Sequence, residues 1–106
     1  MRDEKKRRLN AKGWKVGTPA EFLGLTDQEA SYIELKLRLA ERLRVQRHRR
    51  RLTQAEVAKV LASSQSRVAK MEAGDPSVSI DLLIRSILTL GASLREVAQS
   101  IASAKE

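Results

Sequence analysis

Residues 52–74, LTQAEVAKVLASSQSRVAKMEAG, decide the fold of this chain. Thr53 and Glu56 have the spacing of a capping box, which predicts that a helix begins here. Ala62 and Ser63 form a short turn, and Ser63 is the expected N-cap of a second helix. The stretch therefore predicts two helices joined by a tight turn.

Each of these two helices has one face for the core and one for the surface. The apolar residues at helical spacing are expected to be buried: Val57, Ala58, Leu61, Val68 and Met71. The polar residues of the second helix remain for the surface: Ser64, Gln65, Ser66, Arg67 and Lys70. Amide, hydroxyl and cationic side chains on one helix face can contact base edges and phosphates of DNA. The alternative is an ordinary solvated helix face.

This stretch resembles the helix-turn-helix of the XRE family, the type found in lambdoid phage repressors and Cro. The resemblance covers residues 36–92 and rests on the runs Leu-Thr-Gln-Ala-Glu, Ser-Gln-Ser and Met-Glu-Ala-Gly. It implies that the second helix, over 64–73, enters the major groove of DNA. It also implies that Gln65 reads a base edge, often adenine, and that Gln54 bonds a phosphate.

The same resemblance implies an ion pair. An Arg late in the first helix of the family pairs with a Glu near the end of the recognition helix, and these are Arg47 and Glu72 here.

The chain departs from the family pattern at three positions. Ala62 replaces a turn Gly that accepts positive φ at little cost. Met71 stands where Trp is frequent, and Asp75 stands where a basic residue or Asn is frequent. A carboxylate at that position would repel a phosphate.

Composition excludes several classes of protein. The 106 residues suffice for one small domain and an arm. With no cysteine and a single histidine, His48, the chain cannot form a disulfide framework, a histidine metal cluster or a histidine-based triad. We therefore expect no enzyme, no metal and no cofactor. The sequence has neither a membrane-spanning run nor the apolar core of a signal peptide, so a cytoplasmic location in a bacterium is expected.

The net charge of +8 is unevenly distributed. Residues 1–17 hold seven basic and two acidic residues, net +5; residues 18–35 hold four acidic and no basic residues, net −4; residues 36–51 hold eight basic and one acidic, net +7; residues 52–106 hold six of each. The basic block directly before the helix-turn-helix would attract the DNA backbone, and the alternative is a solvated helix face. The adjoining motif favours DNA. The phosphate-contact candidates at the end of this block are Arg49, Arg50 and Arg51.

Two further capping boxes, Thr26 with Glu29 and Ser93 with Glu96, together with Pro19 and the glycines predict the remaining helices. The predicted helices are a short one over 19–23, a long one from Thr26 to about Arg50, one over 80–90 that ends before Gly91, and a last one over 94–104. The predicted fold class is all-α: a five-helix lambda-repressor-like domain with an N-terminal arm and an extended first helix. The predicted organisation is a basic flexible arm (1–17), an acidic helical extension as candidate partner-binding segment (18–35) and the helix-turn-helix domain with a C-terminal dimerisation helix (36–106).

Two apolar faces exceed the needs of one small core. In the last helix, Leu94, Val97 and Ile101 are the dimerisation candidates, because XRE-family subunits commonly meet there. In the long helix, Tyr32 and Leu37 are further apolar side chains that we expect another segment or molecule to bury. The N-terminal arm, a dimer mate or a different protein could provide it, and the sequence leaves these alternatives open.

The N-terminal third extends the resemblance. The run Gly-Trp-Lys-Val-Gly-Thr-Pro-Ala-Glu-Phe-Leu-Gly-Leu-Thr, the Ile33-Glu34-Leu35 helix and residues 64–79 resemble HigA-type antitoxins of type II toxin–antitoxin systems. This resemblance covers residues 13–100. It implies a homodimer that binds a palindromic operator in double-stranded DNA, represses its own operon and neutralises a RelE-like, mRNA-cleaving HigB toxin.

The partner and the competing functions follow from that resemblance. A toxin that binds ribosomal RNA would be basic, so the acidic segment could face it. The candidate partner-binding residues are Trp14, Phe22, Leu23, Tyr32 and Leu37. One alternative is a stand-alone or prophage XRE-type repressor without a toxin. Another is a helix-turn-helix used only as a protein-interaction module, which the polar and basic residues of the recognition helix disfavour.

Overall fold

The computed structural model of the chain describes residues 24 and 26–102. Regular structure within residues 26–102 is entirely helical: α1 (Asp27–Arg49), α2 (Gln54–Val60), α3 (Gln65–Ala73), α4 (Ile80–Thr89) and α5 (Leu94–Ala102). The all-α class and its five helices are confirmed. The chain divides into two units between Ile33 and Glu34. The predicted arm at 1–17, the helix at 19–23, the last two residues of the helix predicted to reach 104, and Trp14, Phe22 and Leu23 lie outside the described residues.

Three helices begin with the capping boxes that the sequence predicts. In the first unit, the Thr26 N–H donates to Glu29 Oε1 at 2.9 Å, and the Glu29 N–H donates to Thr26 Oγ1 at 3.1 Å. The same reciprocal pair joins Thr53 to Glu56 and Ser93 to Glu96 in the second unit. These boxes satisfy N–H groups that a helix cannot pair internally.

The N-cap of α3 is Ser64, so the prediction of Ser63 was wrong by one residue. The Ser64 hydroxyl accepts a hydrogen bond from the Arg67 N–H at 3.2 Å. The Ser63 N–H instead donates to the Ala58 carbonyl at 2.7 Å and closes the end of α2. The turn is therefore one residue longer than a direct cap by Ser63 would allow.

The first four helices share one type of C-terminus. A residue with positive φ follows each helix or its last turn, and the next N–H donates to the carbonyl five residues earlier, which is the Schellman arrangement. The positive-φ residues are Arg51 (57°), Ala62 (55°), Gly74 (68°) and Gly91 (98°). Glycine adopts this conformation without a Cβ clash, whereas Arg51 and Ala62 adopt it at a steric cost.

The core draws on α1 to α5 and the loop before α4. Its fully buried large side chains are Leu39, Leu43, Val57, Val68, Met71, Val78, Leu83, Ile87 and Leu90. Val57, Ala58, Val68 and Met71 are buried as predicted, and Leu61 is partly buried against them. The inward face of α3 is therefore fixed by core packing, which determines which of its side chains face outward.

The i+4 spacing of Leu35, Leu39, Leu43 and Arg47 predicts a core-facing stripe on α1, but the structure buries a different stripe. The buried residues of α1 are Lys36, Leu39, Ala40, Leu43 and Gln46. Repeated i+4 steps drift about 40° each around a helix of 3.6 residues per turn, so a real stripe alternates steps of three and four. Two polar side chains thereby enter the interior.

Candidate nucleic-acid interface

The outer face of α3 is a polar and basic surface. Its exposed side chains are Ser64, Gln65, Ser66, Arg67 and Lys70, all of which the sequence assigned to this surface. The Ser64 and Ser66 hydroxyl oxygens lie 3.3 Å apart. Within residues 26–102, the side chains of Gln65, Arg67 and Lys70 make no hydrogen bond or ion pair. Their donors and acceptors are available to an external ligand.

An ion pair beneath this face joins α1 to α3. Arg47 Nε lies 2.6 Å from Glu72 Oε2, and Arg47 Nη2 lies 3.0 Å from Glu72 Oε1. This is the bidentate geometry that matches a guanidinium to a carboxylate. Only 5% of the Glu72 side chain is exposed. The predicted Arg47–Glu72 pair is confirmed.

Two further bonds complete this network. Arg47 Nη1 donates to the Leu52 carbonyl at 3.1 Å, and Gln54 Nε2 donates to Glu72 Oε1 at 3.2 Å. The first residue of α2 is therefore tied to the last turn of α3. Gln54 is half-buried and has one of its amide N–H groups engaged with Glu72, so part of its hydrogen-bonding capacity serves the fold.

The three arginines that end the basic block have different surroundings. Arg49 Nη1 lies 3.1 Å from Glu96 Oε2 of α5, and Arg50 Nη1 donates to the Leu90 carbonyl at 3.0 Å. Both therefore connect the end of α1 to other helices, and neither caps the carbonyls of α1. Arg51 is exposed, and its side chain has no hydrogen bond or ion pair within residues 26–102. Of the three, Arg51 alone has its guanidinium entirely available within that part of the chain.

Two buried polar residues of α1 escaped the sequence reasoning. Gln46 Nε2 donates to the Leu90 carbonyl at 2.9 Å. Lys36 Nζ lies 3.4 Å from the Asp75 carbonyl oxygen and 3.3 Å from that of Pro76, directly after α3. The spacing Lys36–Leu39–Leu43–Gln46 is a helical stripe, so a search that admitted polar members would have found both residues.

In the loop that follows α3, the carboxylate of Asp75 accepts hydrogen bonds from a neighbouring residue of the same loop. Asp75 Oδ1 accepts from the Ser77 N–H at 2.8 Å and from the Ser77 hydroxyl at 2.6 Å. These hydrogen bonds lower the pKa of the Asp75 carboxyl, and the charges of Lys70 and Lys36 add to the effect. Asp75 is therefore ionised near neutral pH, and its charge is partly offset from within the domain.

The other predicted surface residues divide into exposed and buried ones. Leu94 and Ile101 are exposed on α5, whereas Val97 is only 6% exposed and packs in the core of its own domain. Val97 therefore lacks the exposure that an interface residue needs. Tyr32 in the first unit and Leu37 in the second are each about half exposed. His48 is exposed.

Within 26–102, no group of three or more His, Cys, Asp or Glu side chains is placed to hold a metal ion. No helix of that part is long and apolar enough to cross a membrane.

Comparison with known families agrees with this geometry. The family model described as a helix-turn-helix domain matches residues 38–99, more than half of the chain. Comparisons with curated proteins and with solved structures gave no significant match. The chain belongs to the helix-turn-helix domain family and is a helix-turn-helix DNA-binding protein. Within it, α2 and α3 form the motif, and α3 has the position of the helix that such motifs place in the major groove.

Proposed function

We propose that the protein is a sequence-specific transcriptional repressor of the XRE type that binds a palindromic operator as a homodimer. We further propose that it is a HigA-type antitoxin, which neutralises a RelE-like mRNA-cleaving toxin and represses its own operon. The first proposal extends the family assignment to a regulatory role. The second rests on the sequence resemblance and on the apolar side chains of α1.

One observation carries the repressor proposal. The polar side chains on the outer face of α3 are available for hydrogen bonding, while contacts on its inner face hold the helix firmly on the domain. Gln65, Arg67 and Lys70 are exposed and have no hydrogen bond or ion pair within residues 26–102. The Arg47–Glu72 pair and the buried Val68 hold the same helix from behind. Side chains on a fixed helix can present hydrogen-bonding groups to base edges at defined positions, which sequence recognition requires.

The homodimer proposal rests on the exposed side of α5. Leu94, Ala98 and Ile101 follow at i, i+4 and i+7 and are all exposed. Arg42 Nε donates to Ser100 Oγ at 2.7 Å, and Arg38 Nη1 donates to the Ile101 carbonyl at 2.9 Å. These bonds fix the end of α5 on α1, so the apolar stripe is held in place for a second copy.

The antitoxin proposal rests on apolar side chains at the start of α1. Tyr32 and Ile33 are exposed and, with Gln28 and Glu29, line a shallow, mainly apolar depression of about 380 Å³. Aromatic and aliphatic anchors are typical of protein interfaces. The acidic composition of residues 18–35 would also steer a basic partner towards this segment. A stand-alone repressor has no need of such a surface.

Base reading is tested with duplexes that the wild-type protein selects from a random pool. Gln65→Ala should weaken binding to the selected duplex by about 1–3 kcal/mol and should relax the base preference at one position per half-site. Gln28→Ala, which removes an exposed amide from the first unit, is the matched control and should bind as the wild type. Arg51→Ala should weaken binding to all duplexes alike and should reduce the slope of log affinity against log salt concentration by about one. Gln65→Ala behaving like Arg51→Ala would remove the base-reading role.

The antitoxin role is tested with the product of the adjacent gene. We expect a small basic protein that co-purifies with the full chain and stops growth when expressed alone. Tyr32→Ala, Trp14→Ala and Phe22→Ala should each weaken that complex and leave DNA binding intact. Val60→Ala removes an exposed apolar side chain elsewhere and serves as the control. An adjacent gene without a toxic product, together with intact operator binding, would favour the stand-alone repressor.

A further inference from the structure

The exit loop, residues 74–78, follows the recognition helix and is held from inside the domain. Lys36 lies below it with only 7% of its surface exposed. Its ammonium lies within 3.4 Å of the carbonyl oxygens of Asp75 and Pro76. A buried lysine requires such acceptors, because an ammonium without them would lose its hydration without compensation. Lys36 thus fixes the path of the chain immediately after α3.

The conformation of this loop also determines the surroundings of the Asp75 carboxylate. Both Ser77 donors point at Asp75 Oδ1. The Asp75 N–H donates to the Lys70 carbonyl at 3.0 Å, which places the carboxylate beside the last turn of α3. Lys70 is close enough for its charge to act on Asp75, yet the two side chains form no ion pair.

A mobile Asp75 would oppose DNA binding in two ways. Its negative charge would repel an approaching phosphate, and it could capture the Lys70 ammonium in an ion pair. With Ser77 engaged on Asp75 and Lys36 holding the backbone, the carboxylate stays within the loop. The Lys70 ammonium consequently remains available on the outer face of α3.

We infer that Lys36 is a positioning residue of the DNA interface: together with Ser77 it keeps Asp75 engaged in the exit loop and so keeps Lys70 available to DNA. This inference rests on the proposed contact of Lys70 with DNA. It also explains how a chain can carry an acidic residue directly after its recognition helix. Lys36 itself is too deeply buried to reach a phosphate.

The test measures DNA affinity in the full-length protein, with a duplex selected by the wild type as probe. Lys36→Met keeps the buried aliphatic stem and removes the ammonium; Lys59→Met removes an exposed lysine of α2 and is the charge-matched control. Lys36→Met should weaken binding about tenfold relative to Lys59→Met and should reduce the salt slope by about one, because the contact of Lys70 with a phosphate is lost. Adding Asp75→Asn should restore most of the loss, because the neutral amide neither repels phosphate nor captures Lys70.

A second route avoids any dependence on the fold of Lys36→Met. Ser77→Ala changes only an exposed side chain and should weaken binding by about threefold, an effect that Asp75→Asn should also abolish. Losses that stay the same in the Asp75→Asn background would overturn the inference, as would Lys36→Met binding like Lys59→Met. A wild type that selects no preferred sequence would instead disprove base reading. The Lys36 test would then proceed on any duplex, since phosphate contacts do not require a sequence.

Discussion

At the scale of single residues, buried polar groups determine where the recognition helix lies. Glu72 receives two hydrogen bonds from Arg47 and one from Gln54, so one carboxylate links α1, α2 and α3. Removing one partner of a buried ion pair leaves the other charge without compensation. This network therefore fixes the position of α3 through contacts within the domain.

Arg47→Ala should lower the free energy of unfolding by about 3–5 kcal/mol, because Glu72 would remain buried with Gln54 as its only side-chain hydrogen-bond partner within residues 26–102. Urea unfolding followed by circular dichroism measures the change. Arg44→Ala is the control, since Arg44 pairs with Glu41 at the surface and should change stability little. Equal unfolding midpoints for the two variants would contradict a structural role for the pair.

Ala62 holds the turn of the motif in a conformation that favours glycine, with φ at 55°. Ala62→Gly should raise the free energy of unfolding by about 1 kcal/mol, because relief of the Cβ clash outweighs the greater freedom of the unfolded chain. Ala69→Gly makes the same replacement inside α3 and should lower it by about 0.5–1 kcal/mol. Thermal unfolding of both variants shows whether each one raises or lowers the free energy of unfolding. Destabilisation by both would show that the turn is unstrained.

At the scale of elements, the sequence predicted what depends on neighbouring residues. The three capping boxes and the glycine after α4 are local patterns, and each was found where expected. Ser63 and Ser64 are both suitable N-cap residues, so the sequence alone does not show which of them caps α3. The positive φ of Ala62 directs the chain so that Ser64 takes that position. Lys36 and Gln46 were missed because their partners lie about 40 residues away in sequence. The same holds for the contacts of Arg49 and Arg50.

Glu96 combines a local and a distant role at the start of α5. The Ser93 N–H and the Arg49 guanidinium lower the pKa of its carboxyl below the ordinary value. The folded state therefore binds the proton less readily than the unfolded state, so stability from Glu96 is complete above the unfolded pKa and is lost as pH falls through the lower, folded pKa. Glu96→Gln should make the fall in unfolding temperature between about pH 5 and pH 3 shallower.

The relevant measurement is a series of melting curves for the wild type and Glu96→Gln across that range. Above pH 6 the wild type should melt at the higher temperature, and the two curves should converge in acid. A constant difference at every pH would show that Glu96 acts through packing or hydrogen bonding that does not depend on its charge.

At the scale of the whole molecule, the net charge changes sign between neighbouring blocks of the sequence. The basic block of 36–51 adjoins the helix-turn-helix, and the acidic block of 18–35 precedes it. The family and the fold were predictable from local patterns, whereas the assembly was not. A dimer depends on which apolar side chains remain exposed after the domain has folded, and the prediction of Val97 failed that criterion because its side chain fills the core.

The proposed dimer gives the last prediction, which distinguishes residues of α5 needed for folding from residues needed for association. Leu94 is 74% exposed and Ile101 is also exposed, so Leu94→Asp with Ile101→Asp should leave the domain folded and shift it to a monomer in sedimentation experiments. Val97→Asp, one turn away, should unfold the domain because it places a charge in the core. A dimer spaces two recognition helices about one turn of DNA apart, roughly 34 Å, so the monomeric variant should lose preference for a palindrome over a single half-site. A double variant that still sediments and binds as the wild type would place the contact between subunits on another face of the molecule.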